Sequence, residues 1–326
     1  MYNLEKDVYE EICGYDYVSF DLFDTLIKRS FSSVERIFEL VEYKVNQEYK
    51  LNIKDFKKNR MLAEKKARKY KSREDITLND VYNYLNYEKN ICTILMKEEI
   101  NMEVVTCCEN IPLVEVYHMC LRGGQNIIIT TDMYLDRDTI SQILDKIGVT
   151  KYQLFLSSEI GYTKQTGALF DFILSDLNIL PAELIHIGDN KKSDYDNALK
   201  KGIHAIWLKE NEELLKYWKK RNDLNYDHLY SILKNKIICP KNVEKNLGYK
   251  LFGPVLYSFC MWLNGKDKKE NFRKIVFIAR EGYLPWLVYK ALFPNEKDKI
   301  QVMKLNAANL PQASVRYDVL FMDAPY

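Results

Sequence analysis

The heptapeptide FDLFDTL, Phe20 to Leu26, decides how this chain folds. The apolar residues Val18 and Phe20 predict a buried strand, and this strand runs directly into the carboxylate of Asp21 and a turn. Because open α/β sheets bind their ligands outside the carboxyl ends of the strands, Asp21 is a candidate functional residue. The segment is weak evidence alone, since any buried strand can end in an acidic turn.

Three later segments give the heptapeptide its weight. They are Ile129-Thr130-Thr131-Asp132, then Lys164, then Ile187-Gly188-Asp189-Asn190-Lys191-Lys192-Ser193-Asp194. In chain order the four segments supply a nucleophile-like acid, a hydroxyl, a cation and an acidic pair. A carboxylate that attacks phosphorus forms a covalent intermediate, which divides one difficult hydrolysis into two easier steps. The series therefore predicts a phosphoryl-transfer site.

The bulk composition is that of an ordinary soluble globular protein. The chain has 326 residues, of which 47% are hydrophobic and 29% charged, and its formal net charge is +2. No apolar run approaches the roughly 20 residues needed to span a bilayer, and residues 1–11 do not resemble a signal peptide, so we expect a cytoplasmic protein. The seven cysteines form no CxxC pattern, which favours reduced thiols over disulfides or a zinc site. No nucleic-acid partner is expected.

A basic segment extends from Lys54 to Arg73, and its only acidic residues are Asp55 and Glu64. The pattern is typical of a solvated helix face. The alternative is a positive field that steers an anionic substrate or docks the protein on an acidic surface. Both interpretations place these basic side chains at the protein surface.

Alternating strand and helix patterns predict a parallel α/β sheet. Helical periodicity over residues 31–108 predicts an all-helical insertion without a strand. We expect the sheet domain to comprise residues 1–30 and 109–209. A helical linker over 210–245 and a C-terminal partial α/β segment over 246–326 complete the predicted organisation.

The four segments resemble, in wording and order, the four motifs of the haloacid dehalogenase-like (HAD) hydrolase superfamily, over residues 13–209. The insertion resembles the C1-type cap of that superfamily, so the resemblance implies a Rossmann-like HAD core with a helical cap. A closer resemblance is to predicted HAD hydrolases encoded among bacterial polysaccharide and glycosyltransferase genes. These share the patterns SFDxFDTL, TDMYL, SSExGxxKxTG and HIGDNxxSD, and a C-terminal FxARxGY.

The resemblance implies a Mg²⁺ site at the end of the first strand. Asp21 would be the nucleophile and, with Asp189 and the main-chain carbonyl of Phe23, a metal ligand, since Mg²⁺ prefers oxygen ligands. Asp194 would bind the metal through water or orient its ligands. It also lies where it can cap a helix that begins at Ser193.

The resemblance also implies which groups contact the phosphate. Thr131 and nearby N–H groups would hold a phosphoryl oxygen. Lys164 would neutralise the nucleophile and the charge that develops in the transition state. Asp132 is a candidate contact for the leaving group, and we expect His186 to be a hydrogen-bonded, partly buried residue rather than a catalyst.

One position departs from the phosphatase pattern. Phosphatases of this superfamily usually carry their general acid and base, an aspartate, two residues after the nucleophile; here that position is Phe23. Loss of a general acid costs roughly 10²- to 10⁴-fold in rate for a poor leaving group. A phosphatase with Phe23 at this position would therefore use Asp24 or Asp132 as the acid, or would act on a substrate whose leaving group needs none. An aromatic residue here instead resembles metal-independent dehalogenases. The clustered Asp189 and Asp194 favour phosphoryl chemistry, because they would repel each other without a cation.

The sequence therefore predicts a Mg²⁺-dependent phosphatase that acts through an aspartyl-phosphate. The resemblance implies a small substrate of the sugar or polyol phosphate type in surface-polysaccharide (capsule) biosynthesis, and an association with glycan-assembly enzymes. Two alternatives stay open. One is a metal-independent, dehalogenase-like hydrolase, and the other is a weakly active scaffold in a glycosyltransferase complex.

Overall fold

The structure is a computed structural model of the chain. It forms two compact units, residues 1–241 and 242–326. The residues that the structure describes are 4–31, 33–71, 73–209, 248, 252–279 and 281–304. The predicted helical linker, 210–245, lies outside the described residues.

The first unit contains seven described strands. They are β1 (Tyr17–Phe20), β2 (Ile27–Arg29), β3 (Cys107–Glu109), β4 (Asn126–Thr131), β5 (Gln153–Leu156), β6 (Leu184–Gly188) and β7 (His204–Trp207). Five of them form a parallel sheet in the order β5-β4-β1-β6-β7, which confirms the predicted α/β class. The central strands are apolar runs, as expected for parallel strands covered on both faces.

The order of the strands brings the candidate site residues to one edge of the sheet. β1 lies between β4 and β6. Asp21 follows β1, Thr131 ends β4 and Asp189 follows β6. Because the three strands are parallel, these residues lie at the same edge, where open α/β sheets bind ligands.

Ten helices lie in the described part of the first unit. They are α1 (Leu4–Ile12), α2 (Glu35–Glu48), α3 (Phe56–Tyr70), α4 (Leu78–Tyr82), α5 (Lys89–Thr106), α6 (Ile111–Arg122), α7 (Arg137–Lys146), α8 (Ser157–Ile160), α9 (Ala168–Leu177) and α10 (Asn197–Lys200). A π-helical turn, Lys191–Asp196, precedes α10. The helix that was expected to begin at Ser193 is divided between this turn and α10, and the turn begins two residues earlier.

Helices α2 to α5 lie in the insertion, as the helical periodicity predicted. Its entry and exit are joined by β2 and β3, an antiparallel pair that sets Ile27 opposite Glu109. The expectation that residues 31–108 contain no strand is wrong at Cys107–Glu109. A strand of three residues has no readable period, and its partner lies on the far side of the insertion.

Apolar and capping residues account for two helices of the insertion. Helix α2 buries one apolar stripe, which is formed by Ile37, Phe38, Val41 and Val45. A capping box begins α4. The Thr77 hydroxyl accepts from the Asp80 N–H at 3.2 Å, and the Asp80 carboxylate accepts from the Thr77 N–H at 2.8 Å.

The second unit is described between residues 252 and 304. Its elements are α11 (Gly253–Glu270), β8 (Ile275–Ala279), α12 (Tyr283–Leu292) and β9 (Ile300–Lys304). β8 and β9 are parallel, which confirms the predicted partial α/β extension. Within the described ranges, no helix has the length and apolar character needed to cross a membrane.

Candidate active site

Asp21, the candidate nucleophile, lies at the carboxyl end of β1. Its N–H donates to the Ile187 carbonyl at 2.8 Å, which continues the pairing of β1 with β6 by one residue. The chain then turns sharply, because Asp24 has a left-handed φ of 63° and the Ile27 N–H donates back to the Leu22 carbonyl. Asp21 is 6% exposed, so its carboxylate is held at the edge of the sheet with little access to water.

Three aspartates meet at this edge, and with one lysine they form what we call the aspartate site. One carboxylate oxygen each from Asp21, Asp189 and Asp194 lies within 4.8 Å of the others. Asp189 and Asp194 both follow β6, and Asp194 lies in the π-helical turn Lys191–Asp196, where its carboxylate packs against Gly188. The predicted acidic pair and the predicted nucleophile therefore converge.

The lysine of the aspartate site is Lys164. Its ammonium donates to Asp21 Oδ1 at 2.5 Å and lies 2.7 Å from Asp194 Oδ1. Burial alone would lower the pKa of Lys164, but Asp21, Asp194 and Asp132 raise it above its ordinary value. Lys164 is therefore a fixed positive charge between two carboxylates.

The carboxyl groups of Asp21 and Asp189 both have raised pKa values. Burial raises the pKa of Asp21 to about 8. The Lys164 ammonium opposes that rise, and the neighbouring carboxylates add to it. Burial likewise raises the pKa of Asp189 to about 6, and the charges of Asp24 and Asp194 contribute. Burial is the main cause of both shifts, and the mutual repulsion of the carboxylates adds to it.

Asp194 is held by protein groups on both of its oxygens. Oδ2 accepts from the Asn190 N–H at 2.9 Å, and Oδ1 contacts Lys164 and, at 3.4 Å, the Nε2 of His186. A Cβ at Gly188 would overlap this carboxylate, so glycine is required there. One interpretation expected Asp194 to cap the helix after β6, and it does not. The Asn190 side chain is the cap, because it accepts the Lys192 and Ser193 N–H groups.

The other two aspartates present oxygens that have no hydrogen-bond partner among the described residues. Lys164 contacts only Oδ1 of Asp21, and within the described part of the chain no hydrogen bond reaches Oδ2 or the Asp189 carboxylate. Clustered carboxylate oxygens with net negative charge suit a hard divalent cation such as Mg²⁺. The donor set therefore fits the predicted metal, with Asp194 oriented beside it.

Solved structures with a similar fold are HAD-family hydrolases. A 2-haloacid dehalogenase from Pseudomonas syringae pv. Tomato DC3000 is 16% identical, with 59% of this chain and 86% of the dehalogenase covered and a TM-score of 0.46. The putative HAD-hydrolase YfnB from Bacillus subtilis, bound to magnesium, is 14% identical, with 61% and 91% covered and a TM-score of 0.44. A predicted phosphoglycolate phosphatase from Haemophilus somnus 129PT is 11% identical, with 59% and 84% covered and a TM-score of 0.42.

No protein-family model matches the chain, and no curated protein matches it. The three structures have TM-scores below 0.5 and identities below 25%. Their likeness therefore carries no argument about activity. The chemistry of the aspartate site rests on the residues of this chain.

Thr131 and Asp132 lie beside the aspartates but differ in their surroundings. Thr131 is the last residue of β4 and is 1% exposed, on the strand next to Asp21. The carboxylate of Asp132 accepts the N–H of Lys164 at 2.8 Å and of Gln165 at 3.1 Å. Asp132 thus holds the backbone that carries the lysine.

A buried hydrogen-bonded chain beneath the site was not predicted from the sequence. The Ser19 hydroxyl lies 2.8 Å from the Thr130 hydroxyl and 2.8 Å from Nδ1 of His186, and the other ring nitrogen faces Asp194. Burial lowers the pKa of His186, so the ring is neutral at physiological pH. As expected, His186 is a hydrogen-bonded buried residue; it supports Asp194 from below.

Two basic residues of β2 also lie near the site, and neither was predicted. The buried Lys28 donates to the Asp24 carbonyl at 2.5 Å, and its charge opposes the rise in the pKa of Asp189. The Arg29 guanidinium lies 4.3 Å from the centre of the Phe23 ring. A basic dipeptide in a short strand belongs to no sequence motif. The only sign in the sequence that these residues lie near the site was their spacing from Asp21.

Proposed function

We propose that this chain is a hydrolase, specifically a Mg²⁺-dependent phosphatase that cleaves a phosphomonoester through an aspartyl-phosphate. One observation carries the proposal. Lys164 holds one oxygen of Asp21 while the other has no hydrogen-bond partner among the described residues, so that oxygen keeps its lone pairs for attack. A carboxylate oxygen of Asp189 lies within 4.8 Å of Asp21 and Asp194, and no hydrogen bond to it is found in the part of the chain that the structure describes.

The proposed reaction has two steps. The uncommitted oxygen of Asp21 attacks phosphorus, the ester P–O bond breaks, and the leaving alcohol takes a proton. Water then attacks the aspartyl-phosphate, which releases inorganic phosphate and restores the carboxylate. Lys164 offsets the charge that develops on the transferred group, and Thr131 binds one of its oxygens.

Asp21, Asp189 and the main-chain carbonyl of Phe23 would hold Mg²⁺, with Asp194 orienting the ligands. When bound, the ion neutralises charge between the carboxylate and the anionic substrate. Asp24 is proposed as the acid for the leaving group, because it lies in the sharp turn three residues after Asp21.

The proposed substrate is a small phosphorylated sugar or polyol in surface-polysaccharide biosynthesis, with glycan-assembly enzymes as partners. This proposal derives from the sequence resemblance alone. A substrate whose leaving group needs no strong acid agrees best with Phe23 in place of the usual aspartate.

A metal-independent, dehalogenase-like hydrolase is the second candidate. The observation that favours it is Phe23, whose ring packs against Arg29 where a phosphatase has its proton donor. Asp21 would then attack carbon rather than phosphorus. That reaction needs no cation, so chelation of divalent ions separates the two candidates.

The test is phosphate release from p-nitrophenyl phosphate with Mg²⁺. We expect Asp21→Asn to lower kcat by roughly 10⁴- to 10⁶-fold, because it removes the nucleophile. The matched control is Asp16→Asn, which changes an exposed aspartate at the opposite end of β1 and should retain full activity. Substantial turnover by Asp21→Asn, or undiminished turnover in EDTA, would overturn the proposal.

A further inference from the structure

The segment that carries Lys164, here called the lysine loop (Gly161–Gly167), is bounded by two glycines. Both have left-handed φ angles, 90° at Gly161 and 87° at Gly167. Glycine loses more conformational freedom on folding than any other residue. The lysine loop therefore needs bonds along its length if Lys164 is to stay between Asp21 and Asp194.

The core of the first unit supplies some of these bonds. Asp132 accepts the N–H groups of Lys164 and Gln165, and the Asn197 side chain donates to the carbonyls of the same two residues at 3.0 and 2.8 Å. These bonds hold the centre of the loop. They leave the N–H and hydroxyl groups of its threonines for another partner.

That partner comes from the helical insertion. A single oxygen of Glu74, between α3 and α4, accepts the Thr163 N–H at 2.9 Å, the Thr163 hydroxyl at 3.2 Å and the Thr166 hydroxyl at 2.7 Å. The Glu74 N–H also donates to the Gly161 carbonyl at 3.2 Å. Glu74 therefore bonds residues on both sides of Lys164.

The residues after Glu74 bind the insertion to the same part of the core. The Asp75 carboxylate accepts from the Ser157 hydroxyl, and that hydroxyl accepts the Met133 N–H at 2.9 Å. The Leu78 N–H donates to the Tyr134 carbonyl at 2.8 Å. The insertion is thus bonded both to the lysine loop and to the loop that follows Thr131.

We propose that Glu74 is a positioning residue, which holds the Lys164 ammonium against Asp21 through the threonines of the lysine loop. The geometry of the site is then set partly by the insertion. Moving the insertion away from the sheet would release the lysine loop and withdraw the positive charge. This role rests on the proposed phosphatase function, because its kinetic test requires the chain to be a phosphatase.

The experiment compares Glu74→Ala and Glu74→Gln with Glu88→Ala, which removes an exposed glutamate elsewhere on the insertion. Turnover of p-nitrophenyl phosphate with Mg²⁺ is measured, together with hydrogen exchange of the Thr163 amide. We expect Glu74→Ala to lower kcat roughly tenfold to a hundredfold with a smaller change in KM, because a misplaced charge weakens the transition state most. Glu74→Gln, which keeps an acceptor oxygen, should recover part of the loss.

The exchange arm does not need turnover, so it separates the two proposals. Faster exchange at Thr163 in Glu74→Ala, with wild-type exchange in Glu88→Ala, supports the positioning role. Unchanged exchange, or faster exchange with unchanged kcat in an active enzyme, overturns it. A wild-type protein that releases no phosphate counts against the phosphatase, and the exchange result then decides the role of Glu74.

Discussion

The insertion and the sheet edge each bury charged side chains, and they do so in different ways. In the insertion, Arg60, Glu64, Tyr82 and Glu99 form what we call the paired cluster. Arg60 donates to both oxygens of Glu99 at 2.7–3.1 Å and to Glu64 at 3.1 Å, and the Tyr82 hydroxyl donates to Glu99 at 2.8 Å. Every oxygen of Glu99 has a donor.

The aspartate site has one ammonium against three carboxylates. Lys164 contacts Asp21 and Asp194, and within the described ranges no donor reaches the carboxylate of Asp189. Burial raises the pKa of Glu99 in the paired cluster as well, so a raised pKa does not separate the two regions. What separates them is that donors reach both oxygens of Glu99, whereas within the described residues no donor reaches Oδ2 of Asp21 or the Asp189 carboxylate. Clustered carboxylate oxygens without donors suit a divalent cation.

The largest effect is expected in the paired cluster. Arg60→Leu leaves Glu99 buried without its partner, so the free energy of unfolding should fall by about 3–5 kcal/mol. The control is Arg122→Leu, which breaks an exposed pair with Glu115 and should cost less than about 1 kcal/mol. Urea denaturation measures both. Equal effects of the two substitutions would contradict full pairing in the cluster.

A neutralised aspartate should have the opposite and smaller effect. Burial raises the pKa of the Asp189 carboxyl from 3.8 to about 6. Ionisation of Asp189 therefore destabilises the fold. The destabilisation begins as the pH rises above the unfolded pKa of 3.8 and is complete above the folded pKa of about 6. In EDTA, Asp189→Asn should therefore increase the free energy of unfolding by about 1–2 kcal/mol near neutral pH.

The gain from Asp189→Asn should fade as the pH is lowered through the folded pKa of Asp189 towards 3.8, because the wild-type carboxyl is then protonated. Asp171→Asn, at an exposed carboxylate paired with Lys201, should give no gain at any pH. A loss of stability in Asp189→Asn at neutral pH would show that this carboxylate is already balanced within the protein.

The sheet and the predicted site residues could be found from the sequence because the signals are local. Asp21, Thr131 and Asp189 each end or follow an apolar strand, and parallel strands bring their carboxyl ends together. The order of the motifs added Lys164, which lies 143 positions from Asp21 in the chain. The site roles assigned to these residues stay predictions until the variants are measured.

The remaining features could not be predicted because they depend on contacts between distant elements. Arg60 belongs to the basic segment that was predicted to be a solvated helix face, yet it is fully buried. Its partner Glu99 lies 39 positions away on α5, so nothing in the local sequence indicated the pair. Glu74 meets Thr163 across 89 positions. In the sequence, Ser19 is recognisable only as one polar residue in an apolar strand, and the partners of its hydroxyl are not evident. Helical and strand periods carry no information on such pairings.

The most direct test of the unbalanced charge in the aspartate site is a calorimetric titration of Mg²⁺ at about pH 8, where Asp189 is ionised. We predict that the wild-type protein binds one Mg²⁺ per chain and that Asp189→Asn binds it at least roughly tenfold more weakly. Glu64→Gln, from the paired cluster, should bind as the wild type does. No binding by the wild-type protein, or equal affinity in Asp189→Asn, would contradict the account.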